Sequence, residues 1–177
     1  MDFESVRAEL GVLHDAPVER LIAHWTAGGP TPNDRERDHY HFLIEQNGAV
    51  VRGHYELGLP PPPDHSYAWP QHTRELNTGS VGVALCGMLG ATPKDHGAVP
   101  INPLQMEKLI LVLAALAGRY DLSVAETTVT VHADVGRVYG IAQRGKWDIS
   151  FWPGRPKVKG AAQVAHEIRR ALRAALF

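Results

Sequence analysis

Short runs and periodic stripes of hydrophobic residues along the chain predict a mixture of strands and helices. The runs Arg20–Trp25 (RLIAHW) and residues 80–87 (SVGVALCG) are short and nearly continuous, as in buried strands. Residues 41–53 (HFLIEQNGAVVRG) hold two apolar runs joined by Asn47-Gly48, which predicts a β-hairpin. The β-branched run at residues 127–132 (TTVTVH) predicts one more strand.

Three segments have helical periodicity. Residues 2–12 predict a short N-terminal helix, and residues 160–176 an amphipathic C-terminal helix with a basic outer side. The clearest helix begins at Asn102, because Asn102 is a good N-cap, Pro103 suits the first helical position and Gln105 completes a capping box. Its apolar positions fall on one face: Met106, Leu109, Ile110, Leu113, Leu116 and Tyr120.

Together these elements predict an α/β (α+β) fold with a central mixed β-sheet flanked by helices. With 177 residues and 44% hydrophobic content, the chain has enough material for one domain, residues 1–177, with its core at about 20–150. The proline-rich residues 59–71 (LPPPPDHSYAWPQ) are expected to form an extended surface loop within that domain.

The charge and hydrophobic content of the chain argue against two classes of partner, nucleic acids and membranes. The formal net charge is -1 and there is no basic stripe with interleaved aromatic residues, so nucleic-acid binding is not expected. No stretch approaches the roughly 18 apolar residues of a membrane span, so stable membrane insertion is not expected. The single cysteine, Cys86, cannot form an internal disulfide and is interpreted as a small buried hydrophobic residue.

Two predicted strands end in histidine, which suggests a metal site at one edge of the sheet. His24 ends the first strand, His132 ends the late β-branched strand, and Asp148 follows in GKWDIS. Two imidazoles and a carboxylate are a suitable zinc set that leaves one position for water. Spacing alone leaves two alternatives open. His24 and His132 could be core histidines, or His39 and His41 could form a rival metal pair.

Five motifs resemble one known family when they are taken in order. They are IAHWTAGG, YHFLIEQNGAVVRG, HTRELNTGSVGVALCG, VHADV and GKWDI, and they run from about Leu21 to Ser150. This order is similar to that of the type-2 N-acetylmuramoyl-L-alanine amidases, a family of phage lysins, cell-wall recycling amidases and animal peptidoglycan-recognition proteins. The resemblance implies a zinc hydrolase that cleaves the amide between N-acetylmuramic acid and L-alanine in peptidoglycan.

The resemblance also implies roles for single residues. His24, His132 and Asp148 match the family's metal ligands for one Zn²⁺ per chain. Tyr40 matches a tyrosine near the metal, and Lys146 a lysine that stabilises the oxyanion. Three further positions are expected to contact substrate in the groove: His72, Asn77 and Trp69.

One departure favours the phage-type member of the family. Recycling-type members carry a glutamate as general base in the strand that here reads VGVALCG, where this chain has Ala84 and Cys86. The segment between His132 and Asp148 is longer than the family's shortest versions and is expected to add a loop beside the groove. A recycling amidase that acts on soluble fragments and a non-catalytic peptidoglycan-binding module remain as alternatives.

A phage-lysin-like role implies a route to the wall. The N-terminal sequence MDFESVRAELGVL lacks the basic start and long apolar centre of a signal peptide. We therefore expect synthesis in the cytoplasm as a monomer, with a membrane-permeabilising partner that gives access to the wall.

Overall fold

The computed structural model describes residues 3–176 and contains a five-stranded mixed sheet. The strands are β1 (Arg20–Trp25), β2 (Phe42–Ile44), β3 (Val50–Arg52), β4 (Ser80–Leu85) and β5 (Val129–Val131), in the spatial order β3-β2-β4-β1-β5. β2, β4, β1 and β5 run parallel to one another. β3 pairs antiparallel with β2, and this pairing is the hairpin that Asn47-Gly48 predicts. The predicted α/β class with a mixed sheet is therefore confirmed.

The helices are α1 (Phe3–Leu10), α2 (Asp34–His39), α3 (Pro103–Arg119), α4 (Val135–Tyr139) and α5 (Ala161–Leu176). A 3-10 turn at His132–Asp134 precedes α4. α3 begins as predicted, because the Asn102 side chain accepts from the Gln105 amide and the Gln105 side chain accepts from the Asn102 amide. No helix in the described part of the chain is long and apolar enough to cross a membrane.

The two faces of the sheet have different roles. Alternate residues of the strands, such as Leu21, Ala23 and Trp25 in β1, pack into the main core with α1, α3 and α5. The intervening residues face the other way, where Leu43, Ala84 and Cys86 form a small separate apolar cluster beneath Tyr40. This second face carries the polar side chains that the sequence singles out.

Several boundaries differ from the sequence prediction. α1 spans Phe3–Leu10 rather than residues 2–12, and Asp2 lies outside the described residues. β5 covers Val129–Val131, so His132 lies in the 3-10 turn just after the strand. α2 is a helix of six residues that follows the Asn33 N-cap.

Candidate metal centre and active-site groove

The register of two parallel strands brings His24 and His132 together. Ala23 of β1 pairs with Val131 of β5, so the next residues along both strands lie side by side at the carboxyl edge. Their imidazole centroids are 4.7 Å apart. Asp148 reaches the same point from a loop, and its backbone carbonyl accepts from the Ala133 amide. The three side chains therefore come from three different segments.

The three side chains form a nearly equilateral triangle of ligand atoms. His24 Nδ1, His132 Nδ1 and Asp148 Oδ2 are each 3.1 Å from the other two. Ligand atoms around a tetrahedral zinc with bonds of about 2.0 Å lie about 3.3 Å apart. Among the described residues, this is the one group of three or more histidine, cysteine and acidic side chains arranged to hold a metal ion. The donor set therefore fits zinc.

Burial and the contacts within the triangle together set the charges of its side chains. His24 is fully buried, and His132 and Asp148 are 4% and 5% exposed. Desolvation lowers the pKa of His24 to about 4, so this imidazole is neutral at pH 7. Burial raises the pKa of Asp148, but the contacts with His132 and His24 outweigh it and lower the pKa to about 2. The site thus holds a buried carboxylate beside a neutral imidazole, as a cation site requires.

Further polar contacts surround the triangle. His24 Nε2 lies 3.1 Å from His72 Nδ1, and His132 Nε2 lies 3.0 Å from Gln143 Oε1. Gln143 belongs to the segment that the sequence predicts as a loop beside the groove. No motif singles it out, because only the fold brings it to His132.

Tyr40 and Lys146 lie next to the triangle. The Tyr40 ring is 5.2 Å from the His24 ring, and its hydroxyl is 3.5 Å from the Trp25 carbonyl. Burial, followed by the charge of Asp148, raises the pKa of Tyr40, so its hydroxyl stays protonated. Lys146 is exposed and lies close enough to His24 for its charge to help lower the pKa of that imidazole.

Two polar cavities meet beside the triangle and form a groove. One has a volume of about 470 Å³ and is lined by cationic and amide side chains, among them Arg74, Arg144 and Asn77. The other has a volume of about 450 Å³ and runs past Tyr40. His39 and Lys146 line both. The walls of the groove therefore carry mainly polar and cationic side chains.

The three residues expected to contact substrate occupy different environments. His72 is only 6% exposed and lies directly behind His24. Asn77 is half-buried; it accepts from the Thr73 amide and donates to the Gln71 side chain. Trp69 lies against the His41 ring at 5.7 Å and lines a separate, largely apolar cavity of about 210 Å³ under the proline-rich loop.

The rival histidine pair does not converge. His39 is bonded to the Arg35 carbonyl through Nδ1, whereas the buried His41 accepts from the Gly82 amide. Desolvation also raises the pKa of Cys86 to about 12, so this thiol is neutral at pH 7. Ala84 and Cys86 lie at the base of the site face, where they supply neither a base nor a ligand.

Comparison with known proteins agrees with this geometry. The family model described as N-acetylmuramoyl-L-alanine amidase matches residues 14–155. A curated relative, the endolysin of Enterobacteria phage T3, is 28% identical over 133 residues, which cover 68% of this chain and 78% of the relative. These matches bear out the predicted resemblance to phage-lysin-like amidases.

Two solved structures from Clostridium intestinale URNW share the fold. They are the endolysin amidase LysCS and the N-acetylmuramoyl-L-alanine amidase LysC. Each has a TM-score of 0.53, is 17% identical and covers 89% of this chain; the matches cover 85% and 87% of the respective neighbours. Because the family model covers most of the sequence, the chain belongs to the N-acetylmuramoyl-L-alanine amidase family.

Proposed function

We propose that the protein is a zinc-dependent, phage-type endolysin that hydrolyses the amide between N-acetylmuramic acid and L-alanine in peptidoglycan. The observation that carries the proposal is the buried triangle of His24, His132 and Asp148 beside a polar groove. The family match supports the reaction class. In this proposal His24, His132 and Asp148 hold one Zn²⁺ per chain.

Zinc, when bound, supplies Lewis acidity toward the amide carbonyl and lowers the pKa of a water to about 7. The protein's own residues do the rest. The Lys146 ammonium, at the wall shared by both cavities, stabilises the negative charge that develops on the carbonyl oxygen. The Tyr40 hydroxyl stays protonated at neutral pH and donates to the nitrogen of the leaving L-alanine.

The residues of β4 favour the phage-type reaction over the recycling type. A carboxylate base on this strand would have to replace Ala84 or Cys86, and both are fully buried and uncharged. Proton transfer therefore falls to Tyr40 or to a water. The groove also suits a polymer, because two cavities of about 470 and 450 Å³ share His39 and Lys146 as walls. We propose intact peptidoglycan as the substrate, with a monomer reaching it through a membrane-permeabilising partner.

The test is to identify the ends that the purified protein creates in purified peptidoglycan. Mass spectrometry should find stem peptides with a free L-alanine amino group, and a chelator or His132→Ala should abolish them. The exposed Lys157→Ala variant is the matched control and should keep activity. Cleavage of soluble muramyl peptides but not of sacculi would favour the recycling amidase. Binding without new ends would favour the non-catalytic module.

A further inference from the structure

We infer that His72 and Gln143 are positioning residues that hold His24 and His132 in the tautomer whose Nδ1 binds the metal. The inference rests on the metal site proposed above and extends it to the residues behind the ligands. A neutral imidazole has one bare nitrogen and one N–H. The hydrogen-bond partner of the outer nitrogen, the one that faces away from the triangle, therefore decides which nitrogen is bare and can bind a cation. In both ligand histidines the outer nitrogen is Nε2.

A backbone carbonyl decides the tautomer of His72. His72 Nε2 lies 3.2 Å from the Ser80 carbonyl oxygen, which can only accept. His72 Nε2 therefore carries the single hydrogen of the neutral ring, and Nδ1 is bare. The bare His72 Nδ1 then accepts from His24 Nε2–H at 3.1 Å. His24 Nδ1 is consequently left with a free lone pair directed at His132 and Asp148.

The neighbouring Thr73 is compatible with this assignment. Its hydroxyl lies 2.8 Å from His72 Nδ1 and 3.5 Å from His24 Nε2. A hydroxyl donates as well as accepts, so Thr73 shares the bare His72 Nδ1 with His24. The opposite assignment, with the hydrogen on His72 Nδ1, would set a bare Nε2 against the Ser80 carbonyl at 3.2 Å, two acceptors with no hydrogen between them.

Gln143 acts on His132 by the same logic. Its amide nitrogen donates to the carbonyls of Arg74 and Ile141, at 3.2 and 3.1 Å. Those two acceptors fix the amide so that Gln143 Oε1 faces His132 Nε2, at 3.0 Å. Because an amide oxygen accepts, His132 Nε2 carries the hydrogen and His132 Nδ1 is bare. Each ligand ring thus donates to a side-chain acceptor, and each of these side chains is oriented by its own hydrogen bonds to backbone carbonyls.

Gly82 gives His72 the space to occupy this position. A Cβ at Gly82 would lie 2.7 Å from His72 Cγ and 2.8 Å from its Cδ2. These atoms belong to the rigid ring close to the backbone, so Gly82→Ala would displace the imidazole rather than a flexible tip. Gly82 therefore offers a way to move His72 away from His24 without changing either histidine.

The experiment measures the Zn²⁺ affinity of the full chain by competition with a chromophoric chelator. Loss of an outer-shell partner of a ligand histidine weakens metal binding by about 10- to 100-fold. We expect that loss for His72→Leu and for Gln143→Leu. His72→Gln should stay within about threefold of the wild type, because its amide can donate to Ser80 and accept from His24 as Gln143 does for His132.

Gly82→Ala supplies an independent test of the contact between His72 and His24. Alone it should weaken Zn²⁺ binding, and in a His72→Leu background it should add nothing further, because the ring it displaces is already gone. In the zinc-loaded wild type, long-range ¹H–¹⁵N spectra of the histidine rings should show the hydrogen of His72 on Nε2. Circular dichroism and Tm measurements confirm that each variant is folded. If His72→Leu does not fold, Gln143→Leu still tests the inference.

Three outcomes would overturn the inference while leaving the amidase intact. The first is wild-type Zn²⁺ affinity in folded His72→Leu with an increase in KM, which would make His72 a substrate contact. The second is loss of affinity in His72→Gln equal to that in His72→Leu. The third is the hydrogen of His72 on Nδ1. Failure of the wild-type chain itself to bind Zn²⁺ would instead contradict the proposed function.

Discussion

His24 Nδ1 lies 3.1 Å from His132 Nδ1, although 108 residues separate the two along the chain. In the metal-binding tautomer inferred above, the two bare imidazole nitrogens would repel each other at this distance, and so would a bare nitrogen and the Asp148 carboxylate. A cation between the three atoms turns that repulsion into attraction. The arrangement is therefore most stable when metal is bound, which leads to predictions for the ligands and for the groups beside them.

Replacing the proposed carboxylate ligand should weaken metal binding without unfolding the protein. Asp148→Asn keeps the shape of the side chain but removes its charge, so we expect zinc affinity to fall by ~10²-fold or more. Metal content after dialysis, measured by mass spectrometry, is the readout. Asp121→Asn, at an exposed turn, is the control and should retain one zinc per chain. Equal zinc retention in the two variants would rule Asp148 out as a ligand.

Removing the cation of Lys146 should slow catalysis selectively. Because its proposed role is to stabilise charge that develops in the transition state, Lys146→Ala should lower kcat by about 10²- to 10³-fold with little change in KM. Zinc affinity should stay close to that of the wild type. Lys159→Ala, outside the groove, is the matched control. An increase in KM with unchanged kcat would instead make Lys146 a ground-state binding residue.

Tyr40→Phe tests proton donation to the leaving amine. The phenyl ring keeps the packing against His24 and the small apolar cluster, and the lost hydroxyl has one long contact of 3.5 Å. We therefore expect an unchanged Tm and a kcat about 10²-fold lower. Steady-state turnover of a defined muramyl peptide measures the effect. Wild-type turnover in this variant would leave water as the proton donor.

The buried His41 should make the protein less stable in mild acid. Burial lowers its pKa to about 3, so between about pH 3 and 6.5 the unfolded chain binds a proton at His41 that the folded chain does not. Stability therefore falls as the pH drops through this window, by about 2 kcal/mol for His41 between pH 7.5 and pH 5.

Urea unfolding of the wild type and of His41→Gln at pH 7.5 and pH 5 measures this contribution. All other titratable groups are the same in both proteins, so the difference between the two pH dependences isolates His41. The glutamine side chain can accept from the Gly82 amide, as His41 Nδ1 does. Identical pH dependence in the two proteins would show that His41 is protonated as readily in the folded state as in the unfolded state.

The fold was largely predictable because its signals are local. The Asn102 capping box and the Asn47-Gly48 turn form within a few residues and need no tertiary information. The convergence of His24 and His132 could be anticipated as well, since each lies at the carboxyl end of one of two neighbouring parallel strands. Asp148 is harder to assign from the pattern, because it reaches the site from a loop, and the family resemblance strengthens its assignment.

The sequence does not predict the side-chain contacts that His72 and Gln143 make with His24 and His132. His72 is expected to contact substrate and lines the groove, but no motif predicts that it also lies against His24, a position that depends on the absence of a side chain at Gly82. His54 and His65 both bond to Asp38, at 2.7 and 3.0 Å, and His65 thereby connects the proline-rich loop to α2. Contacts of this kind depend on loop paths that no periodicity encodes.

The most direct test of the proposed zinc-dependent amidase is a zinc titration of chelator-treated protein, with release of L-alanine-terminated stem peptides from sacculi as the readout. We expect no release without metal, a rise that saturates at one zinc per wild-type chain, and no rise for His24→Ala at the same zinc concentrations. Full release from the metal-free protein, or equal rescue of His24→Ala, would contradict it.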